Sequence, residues 1–77
     1  MIGTVIKILR TQNKLSQKEL GNLLHLSDTT ISAYEMGKIS PSFETIVKIF
    51  RLCGCDLCIK DKNNNIIDIE GFIKKNG

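Results

Sequence analysis

The sequence holds one histidine, three cysteines, no glycine-rich loop and no long apolar run, and each shortage excludes something. With one histidine there is no His/Cys or Ser/His set in plausible proximity for nucleophilic catalysis, and no phosphate-cradling loop, so an enzyme is not expected and no catalytic residue is named. Cys53, Cys55 and Cys58 are odd in number and closely spaced, which argues against a disulfide framework and for reduced thiols. The Cys-x-Cys-x-x-Cys spacing would need the distant His25 as a fourth zinc ligand, so neither a metal nor a cofactor is expected. No apolar stretch approaches the roughly 20 residues that span a bilayer. The segment Met1–Ile6 lacks a basic leader and runs into Lys7 and Arg10 at helical spacing, which makes a secretory signal unexpected. The expectation is a cytoplasmic protein of a prokaryote or phage. The net charge of +3 allows an anionic partner without demanding one.

What is present reads as a single globular domain. The 42% hydrophobic and 25% charged fractions are ordinary globular proportions. A chain of 77 residues buries only about 60 to 65% of its unfolded surface, so a partner subunit would help it. Ile2, Val5, Ile6 and Leu9 recur at helical steps and predict a first helix, closed by Asn13 in the left-handed conformation. Ser16-Gln17-Lys18-Glu19 has the form of a capping box and opens a second helix with Leu20, Leu23 and Leu24 inward. Gly21 stands where a side chain would hold a neighbour away. His25-Leu26-Ser27 makes a turn, with His25 left-handed and Ser27 the cap of a third helix beginning near Asp28. There Ile31 and Tyr34 face the core, while Asp28, Thr29, Ser32 and Ala33 project from the other side. Gly37 closes this helix. Ser42 caps a fourth, whose apolar stripe is Phe43, Ile46, Val47, Phe50 and Cys53 and which ends at Gly54.

From Cys55 the period changes from 3.6 to 2. Leu57 and Ile59, then Ile67 and Ile69, alternate with polar positions around Asp61-Lys62-Asn63-Asn64-Asn65, which predicts a hairpin. The division expected is a helix-turn-helix core over 1–54 and a β-ribbon and tail over 55–77. A lone ribbon is marginal in water, so its Leu57, Ile59, Ile67 and Ile69 face must be covered, by the fourth helix, a second subunit, or both.

The residues Leu15-Ser16-Gln17-Lys18-Glu19-Leu20-Gly21, Leu26-Ser27, Thr30-Ile31-Ser32, Tyr34-Glu35-Met36-Gly37 and Pro41 resemble the Cro/C1-type, or XRE, helix-turn-helix family over about residues 2 to 54. The resemblance implies a mainly α, four- to five-helix lambda-repressor-like DNA-binding domain, here followed by a short β-hairpin. It implies a phosphate contact from Gln17, base-edge contacts from Asp28, Thr29, Ser32 and Ala33, and a structural ion pair between Arg10 and Glu35. The sequence adds that Ser16 and Ser27 amides can support a phosphate, and that Lys14, Lys18 and Lys38 either flank the same face or are simply solvated. His25 replaces the glycine usual at the turn, and Asp28 would repel phosphate unless it caps the helix or accepts from cytosine N4. The expected function is a dimeric regulator of a palindromic operator in double-stranded DNA, with an antitoxin and its toxin partner as a variant. The alternative is a protein-interaction module that keeps the fold without a specific operator.

Overall fold

Three of the helices begin on a serine whose hydroxyl replaces a missing backbone acceptor. The computed structural model describes residues 1–68. Helix α1 spans Ile2–Gln12, α2 Gln17–Leu24, α3 Asp28–Glu35 and α4 Phe43–Leu52, followed by strands β1 (Cys58–Lys60) and β2 (Ile66–Asp68). At α2 the predicted capping box is complete: the Glu19 amide donates to Ser16 Oγ at 2.9 Å and the Ser16 amide to Glu19 Oε1 at 2.9 Å. Ser27 Oγ accepts from the Thr30 amide and Ser42 Oγ from the Thr45 amide, each at 3.1 Å. Such a cap contributes about 1 kcal/mol.

The helix ends also share one chemistry. In each, the left-handed residue donates to a carbonyl three positions back and the next one to a carbonyl five back, as Lys14 to Thr11 (3.0 Å) and Leu15 to Arg10 (3.1 Å) do at α1. The corresponding longer bonds are Leu26 to Gly21 (2.7 Å), Lys38 to Ala33 (2.9 Å) and Cys55 to Phe50 (2.8 Å). This Schellman geometry needs one left-handed residue per end. Those residues are Lys14 (φ 57°), His25 (φ 59°), Gly37 (φ 75°) and Gly54 (φ 74°). His25, Gly37 and Gly54 are as expected, but Asn13 is not left-handed (φ −93°). The helix runs one residue further than the asparagine suggests, and Asn13 instead donates its side-chain amide to the Leu9 carbonyl at 2.8 Å.

Helix α3 packs against α2 and α1, and α4 closes on α2. Ile6, Leu20, Ile31 and Ile49 are fully buried, joined by Tyr34 and Cys53. Two inward assignments need correction. Leu23 is exposed, because the buried line on α2 is Leu20 and Gly21, with Leu24 beside it, and a step of about 100° from Leu24 carries Leu23 to the flank. On α4 Ile49 takes the central core place, while Phe43, in the first turn and remote from Cys53, stays half-exposed.

The ribbon is antiparallel, with Ile59 opposite Ile67 and Lys60 opposite Ile66. Its turn is gathered by Asp61, whose Oδ1 accepts the Asn63 and Asn65 amides at 2.8 and 2.9 Å while Asn64 adopts φ 65°. Strand β1 is shorter than the alternation suggests, since Leu57 precedes it and is half-buried; Ile69 lies outside the described residues. Ile59 and Ile67 remain 51% and 47% exposed.

A Cβ placed on Gly21 would lie 2.5 Å from the Leu26 carbonyl oxygen, whereas one on Gly37 would meet nothing within 4 Å. Gly21→Ala is therefore expected to lower the unfolding free energy by about 2 to 3 kcal/mol. Gly37→Ala should lose only about 1 kcal/mol from its left-handed backbone. Urea denaturation of both variants checks the ranking.

Candidate nucleic-acid interface

The scaffold of the site begins at a guanidinium. Arg10 Nε donates to Glu35 Oε2 at 2.6 Å and Nη2 to Glu35 Oε1 at 3.0 Å, with the two side chains 11% and 4% exposed. Its Nη1 donates to the Leu15 carbonyl at 2.8 Å, and Gln17 Nε2 donates to Glu35 Oε1 at 3.2 Å. The ion pair implied by the family resemblance is thus present, and it joins α1, the α1–α2 turn, the first residue of α2 and the last residue of α3. Burial pushes the Glu35 carboxyl up, but the hydrogen bonds from Arg10 and Gln17 and the positive charge of Arg10 and Lys7 outweigh it and hold the group below the usual carboxylate range. The same carboxylate raises Arg10. Close approach of α1 to α3 also depends on Gly3, where a Cβ would fall 2.8 Å from the Glu35 carbonyl oxygen. Neither Gln17's bond to Glu35 nor the role of Gly3 was read from the sequence; a glycine among Ile2, Val5 and Ile6 was the available signal for the second.

On this scaffold α3 presents one open side. At about 100° per residue, Asp28, Ser32, Thr29 and Ala33 occupy an arc of roughly 140° opposite Ile31 and Tyr34. Asp28 and Thr29 are exposed, and Ser32 and Ala33 are half-buried. Asp28 Oδ1 accepts the Thr29 amide at 2.9 Å, but the cap of this helix is Ser27 and not Asp28. Ser32 Oγ donates to the Met36 sulfur at 3.7 Å. The turn before α3 is tight because Gly21 lets the Leu26 and Ser27 backbone approach α2.

At the start of α2 the Ser16 amide is already engaged with Glu19, whose carboxyl it lowers, so the amides without an intrahelical acceptor are those of Gln17 and Lys18. An amide side chain has two N–H donors, and Gln17 uses one on Glu35, leaving one directed elsewhere. Lys14, Lys18 and Lys38 are all exposed. Lys14 and Lys18 bracket the α2 start, whereas Lys38 follows the far end of α3, about 12 Å along an eight-residue helix. Cys53 is buried, which raises its thiol, and Cys55 is half-buried. Among the described residues no helix is long and apolar enough to cross a membrane.

Two short capped helices joined by a tight turn, the second presenting small polar groups away from the core, define a helix-turn-helix domain. A helix-turn-helix family model matches residues 6–59, and the chain belongs to this family, in its Cro/C1-type (XRE) branch. It is 32% identical over 68 residues to the cryptic phage CTXphi transcriptional repressor RstR of Vibrio cholerae, covering 86% of this chain and 61% of that protein. It is 34% identical over 56 residues to multiprotein-bridging factor 1 of Candida glabrata, covering 73% of this chain and 37% of that protein. Against multiprotein-bridging factor 1 of Saccharomyces cerevisiae the figures are 31% over 74 residues, 96% of this chain and 46% of that one. The chain therefore spans about three fifths of the repressor and less than half of the bridging factors. No solved structure gives a significant match.

Arg10→Met would strand the Glu35 carboxylate with Gln17 alone and is expected to lower stability by about 3 to 5 kcal/mol, most of it recovered in Arg10→Met/Glu35→Leu. Because the Glu35 carboxyl is lowered by folding, its contribution is complete above the ordinary glutamate value of about 4.3 and is lost as pH falls through the depressed one. Stability of the native chain should fall more steeply below about pH 4 than that of the double variant, as read by urea midpoints across that range.

Proposed function

We propose that the chain is a transcriptional regulator that binds a palindromic operator in double-stranded DNA as a homodimer. The observation that carries this is the open arc on α3 set beside the start of α2. In this reading α3 enters the major groove, where Asp28, Thr29, Ser32 and Ala33 meet base edges. Asp28 there accepts from cytosine N4. The second Gln17 Nε2 hydrogen and the amides of Gln17 and Lys18 hold a backbone phosphate at the positive end of α2, whose cap Ser16 keeps the first turn in place. Lys14, Lys18 and Lys38 neutralise neighbouring phosphates.

Dimerisation is assigned to the ribbon. Ile59 and Ile67 face solvent on a two-stranded sheet too small to stand alone. A second copy laid on that face buries both and can place two α3 helices about 34 Å apart on one side of the duplex. Residues 1–54 then read DNA and residues 55–77, with Leu57 and Ile69 included, join the subunits. RstR is named a transcriptional repressor, which favours phage-type repression in the cytoplasm over an antitoxin paired with a toxin. A second reading, a protein-interaction module on the same fold, draws support from the two relatives named multiprotein-bridging factors.

Selection of random duplexes on the purified chain is expected to yield a two-fold symmetric site bound at least about a thousandfold more tightly than scrambled DNA at physiological salt. Thr29→Ala or Ser32→Ala should weaken the selected site by about 1 to 3 kcal/mol, whereas Lys18→Ala should weaken all sequences alike and reduce the salt slope by about one. Sedimentation should show a dimer that Ile59→Lys/Ile67→Lys converts to monomer. Enrichment of no sequence would favour the interaction module, and a monomeric native chain would remove the ribbon's assignment.

A further inference from the structure

Directly after Glu35, the last residue of α3, stands Met36. Its amide donates to the Ser32 carbonyl at 2.9 Å and its backbone is right-handed (φ −85°, ψ −4°), so the helical register of α3 still holds at this residue. Counted from Asp28 at about 100° per residue, Ser32 falls at about 40°, Met36 at about 80°, Thr29 at about 100° and Ala33 at about 140°. Met36 therefore stands near the middle of the open arc, on the side away from the core. It is 65% exposed. A lone exposed apolar side chain is ordinary on a surface, so position rather than exposure distinguishes Met36, which stands among the residues proposed to meet base edges. Ser32 Oγ donates to Met36 Sδ at 3.7 Å, which holds the thioether back over the arc in the direction that long helical side chains take toward the preceding turn.

What Met36 can contact follows from its chemistry. A thioether has no hydrogen to donate, so it holds neither a phosphate oxygen nor the base acceptors N7, O6 and O4. A neutral side chain without a donor gains nothing beside an anionic backbone, in contrast to the exposed Lys38 two residues on. Among the groups that base pairs present in the major groove, the thymine 5-methyl is the apolar one, and contact between two apolar groups removes both from water. Reach is sufficient. Eight helical rises set Met36 about 12 Å along the axis from Asp28 and about 6 Å beyond Ser32, within the roughly 12 Å width of the groove. An unbranched side chain with three rotatable torsions adapts to the surface it meets.

We propose that Met36 is a further specificity-determining residue, reading a thymine in the operator through its 5-methyl group. This rests on the operator-binding reading and extends base recognition to the C-terminal end of α3. Uracil scanning tests it: each thymine in one half-site of the selected operator is replaced in turn by uracil, which deletes the methyl and keeps every hydrogen-bonding group. At one thymine the native chain should lose about fourfold in affinity, the worth of one buried methyl group. Met36→Gln, similar in length and helix propensity, should bind the thymine and uracil duplexes alike, and Met36→Leu should keep the preference. That difference separates Met36 from Thr29 and Ala33, whose methyl groups can also touch a thymine. Thermal melts of both variants should match the native chain, because the side chain is exposed. A native chain indifferent to uracil at every position would overturn the proposal, as would a uracil penalty that survives unchanged in Met36→Gln. Equal weakening of operator and scrambled duplex by Met36→Gln would overturn it too, by making the contact one to the DNA backbone. If no sequence is enriched, the regulator fails and this inference with it; an enriched operator without a Met36-dependent uracil penalty sinks this inference alone.

Discussion

The arrangement of the first three helices depends on where the Arg10 guanidinium spends its donors. Two go to the Glu35 carboxylate and one to the Leu15 carbonyl, while Gln17 adds a donor to the same carboxylate. A single planar group thereby sets the end of α3 against α1 and fixes the exit of the α1–α2 turn, with α2 starting on the residue that completes the network. A nearly buried ion pair is weak evidence for net stability, because desolvation offsets much of the attraction. Its value lies in direction: bidentate geometry admits few relative orientations, and orientation is what a recognition helix requires.

Gly3 and Gly21 act in the same sense from the other side of the packing. Each removes a side chain where backbone from another element comes within contact distance, Tyr34 and Glu35 for the first and Leu26 and Ser27 for the second. The helix-turn-helix angle is therefore set by carbonyl oxygens meeting bare backbone. The uniform Schellman ends reinforce this, since each turn leaves its helix along a path dictated by the same two hydrogen bonds. Lys14 and His25 accept left-handed backbone to keep those bonds, and Gly37 and Gly54 do so without strain.

The molecule leaves apolar surface in two separate places, the ribbon face of Ile59 and Ile67 and the α2–α4 flank of Leu23 and Leu52. They differ in what surrounds them. The ribbon sets Ile59 against Ile67 across its two strands. The flank lies beside His25, Lys48 and Arg51.

The sequence by itself determined the helices and nearly all their limits, because caps, capping box and left-handed exits are local: Ser16, Ser27, Ser42, His25, Gly37 and Gly54 act within a few residues of themselves. The family motif added the Arg10–Glu35 pair, which no local pattern connects across 25 positions. What only the tertiary structure decided was which flank of each amphipathic helix meets a neighbour. Leu23 and Leu24, or Phe43 and Ile49, are equally apolar by composition, and burial goes to whichever Cβ vector points at the partner helix. The left-handed residue at Lys14 rather than Asn13 has a similar origin, since the bond from Leu15 to the Arg10 carbonyl places the turn where that guanidinium can reach it. Gln17 was legible as an exposed amide at a helix start, but its bond to Glu35 exists only once α3 has docked.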